Sequence, residues 1–508
     1  MAQRHLTNSD PLPHVYETVV HMLVTAAQDH PDQVAITCGD VHLTYREYLN
    51  SVEKLAHKLL ELGSKGKRIA LIMENSIDMA IAMFSVHAGG AQVVPINPLY
   101  TAREATYILK DSMPVVTIYH RSMGELVETL PHTGTKVVSD GTTFLKRSTN
   151  TDREPRTIIP IADDLATLQY TGGTTGYPKG VNLSHAQVSI NISQREAILP
   201  TKNQSETIVC VMPLFHVFAV SMCLHLACYC RSRLVILPRY HPKELCDALQ
   251  REKITILPAG PTIFAGLLNF EEFEEADQEH LSKCYSGSAP LPEETLRQWQ
   301  SITGCFILEG YGQTEAGPVL TYNPETGKKK SGSVGVPLHG TEVQIVDIAD
   351  HTKILPPGKT GEIRARGSQI MSGYRNLPEE TASTIRDGWL YTGDIGEFDE
   401  DGYLYIRDRK KDMAIVGGYN VFPREIDEVL YTHPMVAEAA TIGIPDTYYG
   451  EVTKAWVVLK PGMTCSEQDL ITFCSNNLAK YKVPTAIVIT TALPKTTIGK
   501  IDKKALRT

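Results

Sequence analysis

Among the residues able to do chemistry, the densest group is Tyr170-Thr-Gly-Gly-Thr-Thr-Gly-Tyr-Pro-Lys-Gly180. Glycines at 172, 173, 176 and 180 let the backbone approach a bound group and turn N–H donors toward an anion. The hydroxyls of Thr174 and Thr175 and the ammonium of Lys179 add donors and positive charge. The composition is that of a loop that grips phosphate. It is not a Walker loop, because the GxxxxGK[ST] spacing does not fit. A flexible surface loop is the plain alternative, and the crowding of these residue types between a strand and a helix argues against it.

Other residues are ambiguous when read singly. Gly310-Tyr311-Gly312 ends a β-rich run, and an aromatic flanked by glycines offers a flat face. Ser286-Gly-Ser-Ala-Pro290 reads as a tight turn. Asp394 sits in a glycine-containing turn, where an aspartate is commonplace; its carboxylate could also accept two hydrogen bonds from vicinal hydroxyls. Glu315 taken alone is a solvated charge, His216 a core histidine and Lys500 a surface lysine near the C-terminus.

These residues need elements to position them. Arg68–Met73, Gln92–Ile96, Pro114–Tyr119, Lys136–Ser139, Leu165–Thr171, Arg233–Leu237, Ile254–Leu257 and Cys305–Leu308 are short β-rich runs. Helical segments such as Ser76–Ala88, Pro242–Glu252 and Glu293–Ile302 separate them. That alternation predicts an α/β protein whose parallel sheets carry helices on both faces, with ligands beyond the carboxyl ends of the strands. From about Ser331 the runs shorten and Gly, Pro and Asp intervene, which suggests antiparallel, β-barrel-like structure closing a large domain. A compact α+β region follows the charged Asp408-Arg-Lys-Lys-Asp412. The expected organisation is a large domain over 1–408, a hinge at 409–411 and a small mobile domain over 412–508.

With 508 residues and 42% hydrophobic content the chain has material for roughly two to four domains and needs no staple. A net charge of −9 argues against general nucleic-acid binding. The ten cysteines lie mostly in apolar stretches without a CxxC pair, so buried thiols in a reducing, cytoplasmic setting are expected. The polar N-terminus carries no signal-peptide core. Ile208–Cys230 lacks Lys, Arg, Asp and Glu and has the length of a membrane span. Pro213, His216, Ser221 and His225 make a strand entering a buried helix the better reading; a peripheral membrane contact stays open.

Taken together, the motifs resemble the adenylate-forming superfamily of acyl-CoA synthetases, luciferases and peptide-synthetase adenylation domains. Besides the 170–180 run, Glu309-Gly-Tyr-Gly-Gln-Thr-Glu315, Tyr391-Thr-Gly-Asp394, Asp408-Arg-Lys-Lys-Asp-Met413 and Pro494-Lys-Thr-Thr-Ile-Gly-Lys500 stand in the family's order. The resemblance runs from about Thr25 to the end. It implies ATP, Mg²⁺ and coenzyme A as cofactors. It makes Lys500 the catalytic lysine of acyl-adenylate formation, with His216, Thr174 and Glu315 as further catalytic residues and Glu315 as the carboxylate on Mg²⁺. It places Thr171, Gly172, Gly173, Thr174, Thr175, Gly176 and Lys179 on the phosphates. Gly287, Ser288, Ala289, Gly310, Tyr311, Gly312, Gln313 and Thr314 would surround adenine, Tyr311 stacking on it. Asp394 and Arg409 would hold the ribose side, with Ile406 nearby. Lys411 takes the hinge position, and Gly417 and Gly418 would admit the pantetheine arm after domain rotation. Gly173 departs from the serine that many relatives carry.

The acyl pocket is expected from His216–Cys230, Pro258–Phe264 and Ser286–Pro290. These stretches are apolar and offer no carboxylate for an α-amino group, which favours a fatty or aryl acid. The similarity is strongest to bacterial medium- and long-chain fatty-acid–CoA ligases. Two alternatives stay open: transfer of the acyl group to an amine or a carrier-protein thiol, and a non-catalytic nucleotide or acyl binder on the same fold. Retention of Thr174, Thr175, Lys179, Glu315, Asp394, Arg409 and Lys500 speaks against the second.

Overall fold

A computed structural model describes residues 11–145, 160–171, 178–276, 278–496 and 500–507. Two large sheets form its body. The first has seven strands in the order Gly373–Tyr374, Lys179–Ser184, Leu165–Thr171, Gln92–Pro95, Arg68–Ile72, Val116–His120 and Thr135–Ser139. Its central strands are parallel. They are buried along nearly their whole length because helices cover both faces, which is why they read as unbroken apolar runs. Helix Ile77–Ala88 is buried at every position, and the Ser76 hydroxyl caps it by accepting from the Met79 N–H at 3.1 Å.

The phosphate-gripping run is framed differently from expectation. Strand Leu165–Thr171 pairs antiparallel with strand Lys179–Ser184, with Thr171 opposite Lys179. The run therefore begins on one strand and ends on its antiparallel partner, and helix His185–Ile198 starts only after the second strand, capped by Ser184 and Gln187. Gly180 is required here, because a Cβ would lie 2.9 Å from Leu168 Cδ1 and 3.2 Å from the Tyr170 ring.

The second sheet has nine strands, and at its centre Ile307–Gly312, Lys283–Ser286, Ile256–Ala259, Thr207–Cys210 and Arg233–Ile236 run parallel. The uncharged stretch 208–230 divides as the sequence suggests. Strand Thr207–Cys210 is followed by a break at Pro213 and then by buried helical turns over Val217–Tyr229, with a π turn at Val220–His225. Among the described residues no helix is long and apolar enough to cross a membrane.

Three imidazoles meet in this interior. The ring of His87 lies 5.1 Å from that of His185 and 6.2 Å from that of His225. Both nitrogens of His225 lack a hydrogen-bond partner. Burial pushes His185 and His225 down to about 3 and holds His87 well below its ordinary value, since an imidazolium there would be unhydrated and would repel its neighbours. The unfolded chain takes up these protons near pH 6.5, whereas the folded chain resists them to about pH 3. The stability they contribute is therefore whole above about pH 6.5 and is lost on acidification, by up to about 1.4 kcal/mol per pH unit for each imidazole. The thermal unfolding midpoint should fall steeply below about pH 6, and His225→Phe should flatten that fall; an equal slope in the variant would refute the assignment.

The barrel-like part of the large body is an antiparallel five-stranded sheet, Glu342–Val346, Gly361–Arg366, Trp389–Phe398, Ile385–Arg386 and Leu404–Arg409. The chain leaves it at Arg409 and enters the fourth sheet at Ala414. There the long antiparallel strands Val436–Asp446 and Gly450–Leu459 pack with helices Pro423–Tyr431 and Glu467–Asn477 around an apolar core of their own.

Candidate active site

A cleft of about 1070 Å³ opens where the large sheets, the third sheet and the C-terminal segment meet. Strand pairing creates one of its sides. Asp394 lies opposite Arg409 across one antiparallel ladder, so their side chains share a face. Arg409 Nε stands 3.6 Å from the Asp394 carboxylate. The Tyr311 hydroxyl, from the end of strand Ile307–Gly312, donates to the same carboxylate at 2.6 Å. Burial raises the Asp394 carboxyl, opposed first by Arg409 and also by Lys500.

Lys500 enters this corner from the C-terminal segment. Its backbone N–H donates to Thr496 Oγ1 at 3.2 Å, and the Thr496 N–H donates to the Lys500 carbonyl at 2.7 Å. These two bonds tie Lys500 to Thr496, and Lys500 lines the cleft. Burial, with Arg409 adding repulsion, brings Lys500 down to about 8, while Asp394 pulls the other way. Across the cleft His216 is pushed down to about 3 by burial, with Lys500 lowering it further, and so stays neutral. Its Nδ1 accepts from the Phe218 N–H at 3.3 Å, which orients the ring.

On the opposite flank Glu315 is buried and accepts from the Tyr374 hydroxyl at 2.8 Å. Desolvation raises its carboxyl. Among the described residues no group of three or more His, Cys, Asp or Glu could hold a metal. Glu315 is a single hard-oxygen donor, and such a donor suits a magnesium ion shared with phosphates rather than caged by protein.

Close packing shapes the remaining wall. A Cβ at Gly310 would fall 2.3 Å from Tyr322 Cε2, one at Gly287 would fall 2.8 Å from Phe218 Cε2, and one at Gly312 would fall 2.0 Å from the Pro318 carbonyl oxygen. Ser288 adopts φ +71°, a conformation that a non-glycine residue holds at some cost and only where its surroundings impose it.

Of the residues picked from sequence, Thr171, Lys179, His216, Gly287, Ser288, Gly310–Glu315, Asp394, Arg409, Lys411 and Lys500 line this one cleft. Gly172 to Gly176, with Thr174 and Thr175, lie outside the described residues. Ala289 and Ile406 are not on the cleft wall. The Ile406 carbonyl instead accepts from Arg424 Nη1 at 2.8 Å. Gly417 and Gly418 sit in a separate turn with φ of +57° and +85°, where the Gly417 N–H donates to the Tyr449 carbonyl at 2.8 Å. From the expected acyl stretches, Val217 and Phe218 reach the cleft beside His216, whereas Met222, Cys223 and Leu224 are committed to the core. Sequence reasoning missed Tyr374, and also Gln169, whose amide donates to the Phe215 carbonyl at 2.8 Å and braces the loop bearing His216. Neither has a local pattern that sets it apart from an ordinary strand residue.

Comparison with known proteins agrees with this geometry. The model of the AMP-binding enzyme family matches residues 23–375, and that of the AMP-binding enzyme C-terminal domain matches residues 425–500. The chain is 36% identical to a long-chain-fatty-acid–CoA ligase of Bacillus subtilis, covering 98% of this chain and 95% of the relative. It is 36% identical to the long-chain-fatty-acid–CoA ligase of Salmonella typhimurium, with 97% and 95% covered. Among solved structures, the anthranilate CoA ligase AuaEII in complex with anthranoyl-AMP superimposes with a TM-score of 0.90 at 30% identity, over 99% of this chain and 98% of that one. ATP-bound MatB from Rhodopseudomonas palustris gives a TM-score of 0.87 at 30% identity, over 96% and 98%.

Proposed function

Because the chain belongs to the AMP-binding enzyme family, we infer that it is an AMP-forming acid–thiol ligase, which activates a carboxylic acid with ATP and passes the acyl group to coenzyme A. The observation that carries this reading is the convergence of Lys500, Asp394, Arg409, Glu315 and a neutral His216 on one cleft.

In the first half-reaction an oxygen of the substrate carboxylate attacks the α-phosphorus of ATP, and pyrophosphate leaves. Two anions must approach, and negative charge builds on the α-phosphate oxygens. Lys500 is the group that offsets it: its ammonium is half-buried on the cleft wall, so its field is only partly screened by water. Asp394 takes the ribose hydroxyls, and Tyr311, held by Asp394, presents its ring to adenine. His216, kept neutral, can lie against the substrate carboxylate without trapping it as an ion pair. Glu315 would hold magnesium, which supplies charge neutralisation on the phosphates when bound. In the second half-reaction the thiol of coenzyme A attacks the acyl carbonyl, and AMP leaves as its phosphate retains the bonding pair. Lys500 fills the space near the reacting atoms, so a rotation about Lys411 would withdraw it and bring Gly417 and Gly418 round for the thiol arm.

The acid is a medium- or long-chain fatty acid or an aryl acid. Support comes from the apolar Phe215, Val217, Phe218, Pro318 and Val319 on the cleft and from the relatives that bear the name long-chain-fatty-acid–CoA ligase. Ten free thiols suit a cytoplasmic setting.

Pyrophosphate release with ATP and Mg²⁺, measured across acids from acetate to palmitate and over aryl acids, with and without coenzyme A, tests the whole reading. Release should depend on the acid and multiply when coenzyme A is present. Adenylate that forms without any response to coenzyme A would move the acceptor to an amine or a carrier-protein thiol.

A further inference from the structure

Lys179 does not stand free at the mouth of the phosphate-gripping hairpin. Its ammonium forms an ion pair with the Glu380 carboxylate. It also lies 5.1 Å from the centre of the Tyr374 ring, and the hydroxyl of that tyrosine donates to Glu315. The cation thus sits between a carboxylate on one side and, through the tyrosine, the magnesium-side carboxylate on the other. The two partners differ in freedom. The Lys179 side chain is 12% exposed and rooted in a paired strand; that of Glu380 is 36% exposed on the short helix Pro378–Thr384. That helix is itself anchored, because Thr381 Oγ1 accepts from the Tyr374 N–H at 2.9 Å and donates to the Leu377 carbonyl at 2.8 Å. The carboxylate can swing away and return while its base stays in place.

We propose that Glu380 is an internal substitute for the nucleotide's phosphates on Lys179, holding the ammonium in the nucleotide-free site, yielding it to ATP and taking it back as pyrophosphate leaves. The proposal rests on reading Lys179 as a phosphate-binding group. A carboxylate and a polyphosphate compete for one ammonium, because two anions drawn to it would repel each other. The polyphosphate carries more charge and wins when bound, but its net affinity is reduced by the worth of the pair it breaks. Once the bond to the α-phosphate is cut, the departing pyrophosphate must hold Lys179 against the same competitor. Glu380 therefore weakens ATP and pyrophosphate binding together, which favours product release at the expense of substrate affinity.

The test is the full-length Glu380→Gln variant, read by the KM for ATP and by the inhibition constant of pyrophosphate in the forward reaction. Removing the competing charge should lower both constants together by about three- to tenfold, with Glu380→Asp moving them the same way by less. In a Lys179→Met background the Glu380→Gln change should no longer shift either constant. Constants that stay level or rise in Glu380→Gln, or a shift that persists without Lys179, would overturn the proposal. Lys179→Met alone separates the two levels of the argument. A rise in its KM for ATP, with Glu380→Gln inert, refutes only the role of Glu380; no rise refutes the reading of Lys179 itself.

Discussion

Replacing Lys500 by alanine should lower acyl-adenylate formation by about 10²–10³-fold, while thioester formation from supplied acyl-adenylate persists. The size follows from what the lysine faces. On the function proposed above, its half-buried ammonium lies on the cleft where a carboxylate must meet a phosphate, and its field is only partly screened by water. The persistence follows from chemistry, because the thiol attacks the acyl carbon and not the phosphorus, so no anion has to approach the phosphate. A pH signature accompanies this. With Lys500 brought down to about 8 in the nucleotide-free protein, its charge is whole below that pH and is lost above it. The kcat/KM for adenylation, which reports the free enzyme, should therefore fall as pH rises through about 8. Pyrophosphate exchange measured against pH in both proteins is the check. Adenylation at the parent rate in Lys500→Ala would end the catalytic assignment, and an unchanged alkaline limb in the variant would assign that limb to another group.

Asp394→Ala should raise the KM for ATP by about 100-fold. On the function proposed above the carboxylate takes two ribose hydroxyls, and a hydrogen bond to a charged acceptor is worth about 1.5–3 kcal/mol. Some of the loss arises elsewhere, since the Tyr311 hydroxyl and Arg409 both give up their partner. Asp394→Asn, which keeps an acceptor for Tyr311 but no charge, should fall between. The discriminating readout is 2′-deoxy-ATP. The parent enzyme should penalise it relative to ATP, and Asp394→Ala should treat the two almost alike. A variant that still favours ATP to the parent's degree would show that another group reads the ribose.

Particular elements show how far reading the chain could go. Parallel strands buried on both faces must be apolar along their length, so Arg68–Ile72 and Gln92–Pro95 stood out, and Leu165–Thr171 appears with the bounds expected. The second strand of the hairpin, Lys179–Ser184, did not stand out. Glycine, lysine and asparagine interrupt its apolar pattern, and only its ladder with Leu165–Thr171 makes it a strand. The acyl wall was over-drawn for a related reason. Apolar residues that line a pocket and apolar residues that fill a core have the same composition, so Val217 and Leu224 could not be told apart before packing assigned one to each.

By itself, the sequence determined the family and the residues that carry its motifs: the glycine- and threonine-rich run 170–180, Tyr311, Asp394 and a late Lys500, each legible because a motif is a local property of the chain. Tertiary structure alone decided which charges meet. Asp394 faces Arg409 by ladder register, Lys500 reaches both from the chain's end, and Lys179 pairs with Glu380 some two hundred positions away. Coulombic and hydrogen-bond energies depend on distance through space and on the water excluded from it, and neither quantity is written in the order of residues.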